Sequence, residues 1–279
     1  MTEAVTRFAP SPTGRLHLGH VHSALQGWSS AKASGGRFLL RIEDIDGTRC
    51  RPEFTEAILE DLTWLEITWD GPVRRQSEHF GDYRAALARL KGQGLLYPCF
   101  CTRAEIQAEI ARSAAAPHGP EGPLYPGTCR GLSDSERELR MNAGETFALR
   151  IDMEKAASRA GALFWEDDLA GHIEAQPSGH GDVVLARKET PASYHLAVTV
   201  DDALQGVTLV TRGEDLFAAT DVHRLLQALL ELPTPRYRHH PLLRDAEGRR
   251  LAKRDKAQTV VSLREGGTSP AEVRRLAGF

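Results

Sequence analysis

The chain has few cysteines and no long apolar segment, and both absences narrow the class of protein. Four cysteines among 279 residues are too few for the disulfide framework of a small secreted domain. No apolar run approaches the roughly 20 residues that a membrane-spanning helix needs. The start of the sequence also lacks the basic and then apolar layout of a signal peptide. The sequence therefore predicts a soluble, cytoplasmic protein with no membrane partner.

Charge is nearly balanced overall but unevenly distributed along the chain. The formal net charge of −3 gives no general signal for a nucleic-acid partner. Residues 236–279, however, include eleven Lys or Arg against five Asp or Glu, whereas residues 1–235 include 24 against 33. A basic C-terminal segment on an acidic body predicts that a polyanion docks toward that end. The alternative is an ordinary solvated basic surface.

Strand and helix patterns alternate through the first part of the chain. "AVTRFAP" and "RFLLRIEDID" have the character of strands, while "HLGHVHSALQGWSSAKA" and "PEFTEAILEDLTWL" have that of helices, the second beginning at a proline. This order predicts an α/β fold, a Rossmann-like catalytic domain with a parallel sheet. Ligands of such sheets lie at the carboxyl ends of the strands. Residues 7–20 and 41–46 are therefore expected to border a site.

The pattern is interrupted near Cys99 and returns later in the chain. "YHLAVTVDDAL" and "GVTLVTRGEDL" are predicted as strands, and "TDVHRLLQALLEL" is predicted as a helix. We therefore predict a catalytic domain in two halves, residues 1–98 and 191–235. An insertion at 99–190 separates them, and a C-terminal segment at 236–279 follows.

The opening stretch "RFAPSPTGRLHLGH" combines a turn with a helix start. Gly14 and the prolines force the turn, and a helix is predicted from about Leu18, with unpaired N–H groups that favour an anion. His17 and His20 lie on one helical face and can donate to phosphate oxygens. Gly19 lets a flat ring or a phosphate approach the backbone. The alternative is that both histidines are surface or capping residues.

Three of the four cysteines are spaced as metal ligands. Cys99 and Cys101 are too close in sequence for an unstrained disulfide, and with Cys129 they suit a tetrahedral zinc ion. On chemical grounds His118 is the best fourth ligand, because imidazole is a common zinc ligand. No open coordination position is indicated, so we predict a structural zinc within the insertion.

Four segments occur in an order that resembles one known family. They are "PSPTGRLHLGH", "RIEDID", "VTRGEDLFAAT" and "HHPLLRDAEGRRLAKRDKA". Together they resemble the class I aminoacyl-tRNA synthetases in their glutamyl form, the first segment corresponding to the HIGH motif. The resemblance implies a ligase that uses ATP, with Mg²⁺, to convert L-glutamate to glutamyl-adenylate and then passes the glutamate to RNA.

The resemblance also implies which residues contact the glutamate. A glutamate needs a cation for its side-chain carboxylate and an anion for its ammonium group, and Glu43 would be that anion. The alternatives are an ion pair of Glu43 with Arg41 or Arg49, and of Arg212 with Glu214. The residues implied to contact the glutamate are Arg7, Phe8, Ala9, Pro10, Ser11, Glu43, Tyr194 and Arg212.

A second phosphate-binding element is implied late in the chain. "RRLAKRDKA" occupies the place of the family's KMSKS loop, with Lys253 as a mobile cation for the ATP phosphates. Arg250 stands where the first lysine would be, and Ala252 where a serine would be. The implied catalytic residues are His17, His20 and Lys253, and the implied ATP-binding residues are His17, Gly19, His20, Arg250 and Lys253.

One branch of these enzymes, the glutamyl-queuosine tRNA(Asp) synthetases, is the most similar. The branch activates glutamate without tRNA and has a Cys, Cys, Tyr, Cys zinc site, which favours Tyr125 over His118 as the fourth ligand. The implied metal ligands are Cys99, Cys101, Tyr125 and Cys129.

The RNA partner is inferred from chain length. The sequence ends 26 residues after Lys253, without the anticodon-binding domain of a full glutamyl-tRNA synthetase. A radius of gyration of about 19 Å is too small to contact both ends of one tRNA. The resemblance therefore implies a monomer that binds the anticodon stem-loop of tRNA(Asp) and attaches glutamate to queuosine at the wobble position.

Three alternatives remain open from the sequence. A truncated glutamyl-tRNA synthetase would charge a tRNA 3′ end. A nucleotidyltransferase would use the HxGH motif on another acid. A non-catalytic amino-acid sensor would have lost its catalytic groups, and here His17, His20 and Lys253 are all present.

Overall fold

The computed structural model describes residues 3–112, 118–120, 122–243 and 258–279. The strands are β1 (Val5–Phe8), β2 (Arg37–Ile42), β3 (Arg74–Arg75), β4 (Leu96–Cys99), β5 (His118–Gly119), β6 (Gly122–Pro123), β7 (Ala148–Ile151), β8 (Phe164–Asp167), β9 (Gly171–Glu174), β10 (Val184–Ala186), β11 (Leu209–Gly213) and β12 (Arg236–His240). The helices are α1 (Leu18–Ser34), α2 (Pro52–Trp64), α3 (Phe80–Gly92), α4 (Arg103–Arg112), α5 (Asp134–Asn142), α6 (Met153–Ala160), α7 (Tyr194–Leu204), α8 (Ala219–Leu229), α9 (Val260–Glu265) and α10 (Pro270–Leu276). Within these ranges, none of the helices combines the length and apolar character that crossing a membrane requires.

The strands of the two predicted halves meet side by side. Strands β1, β2 and β3 are parallel neighbours, and β11, β12, β8 and β9 form a second sheet in that order. In the second sheet, β11, β12 and β8 are parallel, and β9 is antiparallel to β8. Thr208, directly before β11, donates its backbone N–H to the Val5 carbonyl at 2.9 Å, so the sheets adjoin along β1 and β11. The predicted Rossmann-like parallel sheet is confirmed.

Helix α1 lies directly on the sheet because residue 27 is a glycine. A Cβ at Gly27 would lie 3.0 Å from Thr211 Oγ1 and 3.1 Å from the Phe38 ring. The close approach also allows the Thr6 hydroxyl to donate to the Gly27 carbonyl at 2.8 Å. The N-terminus of α1, where His17 is located, is thereby fixed beside the end of β1.

The prediction of a strand at "YHLAVTVDDAL" is wrong, because Tyr194–Leu204 is the helix α7. The Ser193 hydroxyl caps it by accepting from the Leu196 N–H at 3.5 Å. All residues from Leu196 to Asp202 are buried, so the helix has little polar face and its period cannot be read from hydrophobicity. The predicted strand β11 and helix α8 are present.

The described residues of the region 99–190 contribute to three sheets, one of which is the two-stranded pair of β5 and β6. Strands β4, β7 and β10 form a separate antiparallel sheet. Strands β8 and β9 belong instead to the sheet of β11 and β12. Part of the predicted insertion therefore extends the catalytic sheet.

The described part of the C-terminal segment packs onto the first half. Val260 of α9 and Val273 of α10 are fully buried in the core that also includes α1 and α2. Burying such a side chain contributes about 1.5–3 kcal/mol of hydrophobic stabilisation. Arg274 donates to the Leu65 carbonyl and Arg275 pairs with Glu272 at 3.2 Å. These two basic residues are thus used within the fold.

Candidate active site

A cavity of about 700 Å³ opens at the carboxyl ends of β1, β2, β11 and β12. It brings together every described residue that the sequence assigned to glutamate or ATP. These are Arg7, Phe8, Ala9, Pro10, Ser11, His17, Gly19, His20, Glu43, Tyr194 and Arg212. Lining residues that sequence reasoning missed include His22, Ser23, Thr211, Asp215 and His240.

His17 and His20 form a reciprocal cap at the start of α1. The Gly19 N–H donates to His17 Nδ1 at 3.1 Å, and the His17 N–H donates to His20 Nδ1 at 3.2 Å. The expectation that the first helical N–H groups are unpaired is therefore wrong for Gly19. Because both Nδ1 atoms accept, each neutral ring has its proton on Nε2. The rings combine a capping role with a donor form suited to phosphate oxygens.

Glu43 is both an ion-pair partner and a cavity residue. Its Oε1 lies 3.3 Å from Arg41 Nη2, while Arg49 pairs with Asp46 at 2.8 Å. Burial raises the pKa of Glu43, and the positive charges of Arg41 and Arg7 oppose that rise. The Glu43 side chain, which is 10% exposed, thus places its carboxyl group beside Arg41 at the end of β2.

Arg7 is neutralised by Asp202, a residue that sequence reasoning missed. Arg7 Nε lies 2.9 Å from Asp202 Oδ1, and Arg41 Nη1 lies 2.8 Å from the same oxygen. Arg41 Nε also lies 3.8 Å from Asp201 Oδ2, and Arg74 Nε lies 2.7 Å from the other Asp201 oxygen. With Glu43 the cluster thus contains three arginines and three acidic residues. Two adjacent aspartates inside an apolar run could have indicated this role, since buried charges are nearly always paired.

Arg212 has no such compensation. It is 6% exposed, and among the described residues no carboxylate, Glu214 included, lies within 4.0 Å of its guanidinium. Its hydrogen-bond partners are His239 Nε2 (3.0 Å), His223 Nδ1 (3.2 Å), Thr220 Oγ1 (2.6 Å) and the Tyr194 hydroxyl (3.5 Å). All four are neutral groups, so Arg212 gives the cavity wall an uncompensated positive charge.

The histidines around Arg212 are uncharged at neutral pH. Burial, and then the charge of Arg212, lowers the pKa of His239 to about 4 despite Asp167. The same two causes hold the pKa of His223 well below its usual value. Burial also lowers the pKa of His195 to about 4. The guanidinium is therefore surrounded by neutral acceptors.

The described residues on both sides of the KMSKS-like loop reach the site. Leu242 and Leu243 line the cavity. Thr259 pairs with His17 as an antiparallel bridge, and the Val260 N–H donates to the Leu16 carbonyl at 2.9 Å. The predicted loop residues Arg250, Ala252 and Lys253 lie outside the described residues.

A second cluster lies in the region 99–190. The Sγ atoms of Cys99, Cys101 and Cys129 lie within 4.8 Å of one another, and all are free thiols. The Tyr125 hydroxyl lies 3.4 Å from Cys99 Sγ and 3.5 Å from Cys101 Sγ. The side chain of His118 lies outside the described part of the chain. This cluster could hold a metal ion.

Fold and cavity together define an α/β domain with a cavity lined by charged side chains at the strand ends. Residues 3–275 match the family model for the catalytic domain of class I tRNA synthetases (E and Q). The chain belongs to this family, and the resemblance predicted from the sequence is confirmed.

The chain matches relatives of two different lengths. The chain is 53% identical to the glutamyl-Q tRNA(Asp) synthetase of Rhodobacter capsulatus, covering 99% of this chain and 100% of that protein. It is 39% identical to the glutamate–tRNA ligase of Aquifex aeolicus, covering 97% of this chain but 55% of that protein. A crystal structure of a glutamate tRNA ligase from Elizabethkingia meningosepticum, solved with its amino acid, superposes with a TM-score of 0.83 at 27% identity. That match covers 99% of this chain and 60% of the ligase.

Proposed function

We propose that the protein uses ATP to activate L-glutamate as glutamyl-adenylate and transfers the glutamate to queuosine at the wobble position of tRNA(Asp). The observation that carries the proposal is the charge arrangement of one cavity, with an uncompensated Arg212 and a buried Glu43 on its walls. The relatives named glutamyl-Q tRNA(Asp) synthetase, which match along nearly the whole chain, support the RNA acceptor.

The cavity matches the charges of glutamate. Arg212 is the cation for the side-chain carboxylate, because it is the arginine without a carboxylate partner among those of the described cavity wall. Glu43 is the anion for the ammonium group. Arg7 is already paired with Asp202, so its remaining role is to position and polarise the groups around it.

The two histidines and the KMSKS-like loop act on ATP. In activation, a carboxylate oxygen of glutamate attacks the α-phosphorus and pyrophosphate leaves. His17 and His20, with their protons on Nε2, donate to phosphate oxygens as charge increases there. Lys253 and Arg250 supply the second set of cations, and Mg²⁺ accompanies the nucleotide. The pairing of Thr259 with His17 supports a common position for both elements.

Zinc is the metal that the cysteine cluster fits. When a zinc ion is held tetrahedrally at Zn–S distances of about 2.3 Å, neighbouring sulfur atoms lie about 3.8 Å apart. Cys101 Sγ and Cys129 Sγ are 3.4 Å apart, and Tyr125 stands at a similar distance from two thiols. The ligands would be Cys99, Cys101, Tyr125 and Cys129. The ion would be structural, joining the end of β4 to the segment that includes Tyr125.

Transfer requires a base that can leave its stack. A hydroxyl of the queuosine cyclopentenediol attacks the carbonyl carbon of the adenylate, and AMP leaves. Bases of an anticodon loop are unpaired and can be turned out of the stack, and such loop bases are the usual target of RNA-binding proteins. We propose that the anticodon stem-loop enters the cavity of a cytoplasmic, monomeric enzyme.

The test combines radiolabelled glutamate and ATP with queuosine-containing and queuosine-free tRNA(Asp), followed by mapping of the labelled nucleotide. We expect label in the anticodon fragment of the queuosine-containing tRNA only. Label at the 3′ end of queuosine-free tRNA would instead identify an acceptor-end synthetase. Pyrophosphate exchange that does not depend on glutamate would identify a nucleotidyltransferase of another acid.

A further inference from the structure

The neutral surroundings of Arg212 suggest how the cavity distinguishes glutamate from glutamine. We propose that His223 and His239 are positioning residues that determine this specificity: as neutral acceptors they fix the Arg212 guanidinium without cancelling its charge. The cavity then selects a side-chain carboxylate over a side-chain amide. The inference rests on the proposed function and deepens it.

The hydrogen bonds on one side of Arg212 have a single consistent direction. A guanidinium only donates, so His239 Nε2, at 3.0 Å from Arg212 Nε, must accept. His239 then has its proton on Nδ1, which donates to Asp167 Oδ2 at 2.7 Å. Asp167 Oδ1 in turn accepts the backbone N–H groups of Leu169 and Ala170 at 2.8 and 2.9 Å. The chain of contacts holds His239 in one tautomer and one orientation.

A second set of contacts fixes the other side of the guanidinium. His223 Nδ1 accepts from Arg212 Nη1 at 3.2 Å, so His223 has its proton on Nε2. That proton is donated to His195 Nδ1 at 3.2 Å. The Thr220 hydroxyl accepts from Arg212 Nη2 at 2.6 Å. Four elements, β8, β12, α7 and α8, therefore contribute to the orientation of one side chain on β11.

Within the part of the chain that the structure describes, no carboxylate contacts Arg212 directly, and this makes the arrangement selective. A buried cation without a counter-ion is destabilised, and a ligand carboxylate relieves that destabilisation whereas a neutral amide does not. Asp167 lies behind His239, so its charge orients the imidazole without directly pairing with Arg212. An aspartate in place of His223 would compensate Arg212 before any ligand arrived. The distinction between glutamate and glutamine matters in this family, because its model covers the synthetases of both amino acids (E and Q).

The decisive experiment compares His223→Asn with His223→Asp. Both side chains place an oxygen near the position of Nδ1 and can accept from Arg212, but only aspartate is charged. We would measure kcat/KM for glutamate and for glutamine by ATP–pyrophosphate exchange without tRNA. The glutamate preference should stay within about threefold of wild type in the Asn variant and fall about tenfold or more in the Asp variant.

A second pair tests positioning at His239. Glutamine can offer its Oε1 where His239 Nε2 accepts, so His239→Gln should keep the glutamate KM within about threefold. His239→Ala removes the acceptor and should raise that KM about tenfold or more, with a smaller change in kcat. Tyr237→Phe is the matched control, since it removes a buried hydroxyl from the same strand, bonded to Gln227 at 2.9 Å, and leaves the Arg212 hydrogen bonds in place.

The outcomes separate this inference from the proposed function. Wild-type protein without glutamate-dependent exchange would overturn the proposed function. Active wild type with equal glutamate preference in the Asn and Asp variants of His223 would overturn the inference alone. If the Asp variant does not fold, the His239 pair decides, and equal KM values in its Gln and Ala variants would overturn the inference.

Discussion

His17 and Thr259 are joined across the active site by an antiparallel bridge, although they are 242 positions apart in sequence. His17 begins the helix that follows β1, and Thr259 comes six residues after Lys253. The bridge gives the HIGH-type segment and the KMSKS-like segment one common anchor. Changes at the anchor should therefore affect the chemistry of activation more than the binding of glutamate.

Thr259→Ala tests this anchor. The Thr259 hydroxyl caps α9 by accepting from the Ser262 N–H at 3.1 Å, and losing such a cap costs about 1 kcal/mol. We expect a lower kcat for pyrophosphate exchange with little change in the glutamate KM, and recovery in Thr259→Ser. Ser269→Ala removes the equivalent cap of α10, in which the Ser269 hydroxyl accepts from the Glu272 N–H at 3.3 Å. An equal loss of kcat in the Ser269 variant would show that general destabilisation, not the anchor, is responsible.

His20→Asn separates capping from catalysis. Asparagine places its Oδ1 near the position of His20 Nδ1, so it can still accept from the His17 N–H, but it has no group equivalent to Nε2. We expect thermal stability close to wild type and a kcat for exchange that falls about 100-fold or more, as for the loss of a transition-state donor. Wild-type kcat in a folded variant would remove His20 from the mechanism.

Glu43→Gln tests the ammonium site. The change removes the charge and keeps the shape, and loss of one partner of a buried charge pair costs about 2 kcal/mol or more, which corresponds to about 30-fold in affinity. The glutamate KM in exchange should therefore rise by at least that factor. Glu78→Gln, at an exposed position, should leave the KM unchanged. Unchanged exchange in the Glu43 variant would refute the assigned role.

The pH dependence of glutamate binding should report the same carboxylate. Glu43 binds an ammonium group only when ionised, which holds above its pKa and fails below it. Because burial raises that pKa above the ordinary value of 4.5, the glutamate KM should begin to rise at a higher pH than for an exposed carboxylate. Glu43→Gln supplies the baseline, since its remaining acid dependence belongs to the substrate. Identical profiles for the two proteins would contradict the prediction.

Metal analysis and chelation test the cysteine cluster. We expect one zinc per chain, and a chelator should lower the melting temperature because a structural zinc stabilises only the folded state. Cys129→Ser should weaken zinc binding about tenfold or more, and Tyr125→Phe should weaken it while leaving the three thiols in place. Cys50→Ser is the control, because Cys50 lies outside the cluster. Equal zinc affinity of wild type and Cys129→Ser, measured by competition with a chelator, would exclude the site.

The sequence could predict those site residues that follow strands or belong to a contiguous motif. Arg7 to Ser11 and Glu43 come directly at the ends of β1 and β2, so the parallel order alone places them at one edge. Cys99, Cys101 and Cys129 are predicted as a cluster on different grounds, from thiol chemistry and spacing. A local sequence pattern is sufficient to predict a site residue when the order of the strands determines where that residue lies.

The sequence could not predict partners that only the tertiary fold brings together. Asp202 is 195 positions from Arg7, and Asp167 is 72 positions from His239. Helix α7, which positions Asp202, has the sequence pattern of a strand because it is buried on nearly every side. The sequence therefore identifies the arginines of the site, but it does not show which arginine has a carboxylate partner.

Strand β8 has a practical consequence for protein engineering. The segment from Phe164 to Glu174 supplies two strands to the sheet of β11 and β12, and Asp167 at the end of β8 orients His239. A minimal version made by excising residues 99–190 as one block would expose the edge of β12 and remove the support of Arg212, the arginine proposed to bind the glutamate side chain. A viable reduction would need to retain that hairpin and remove only what precedes it.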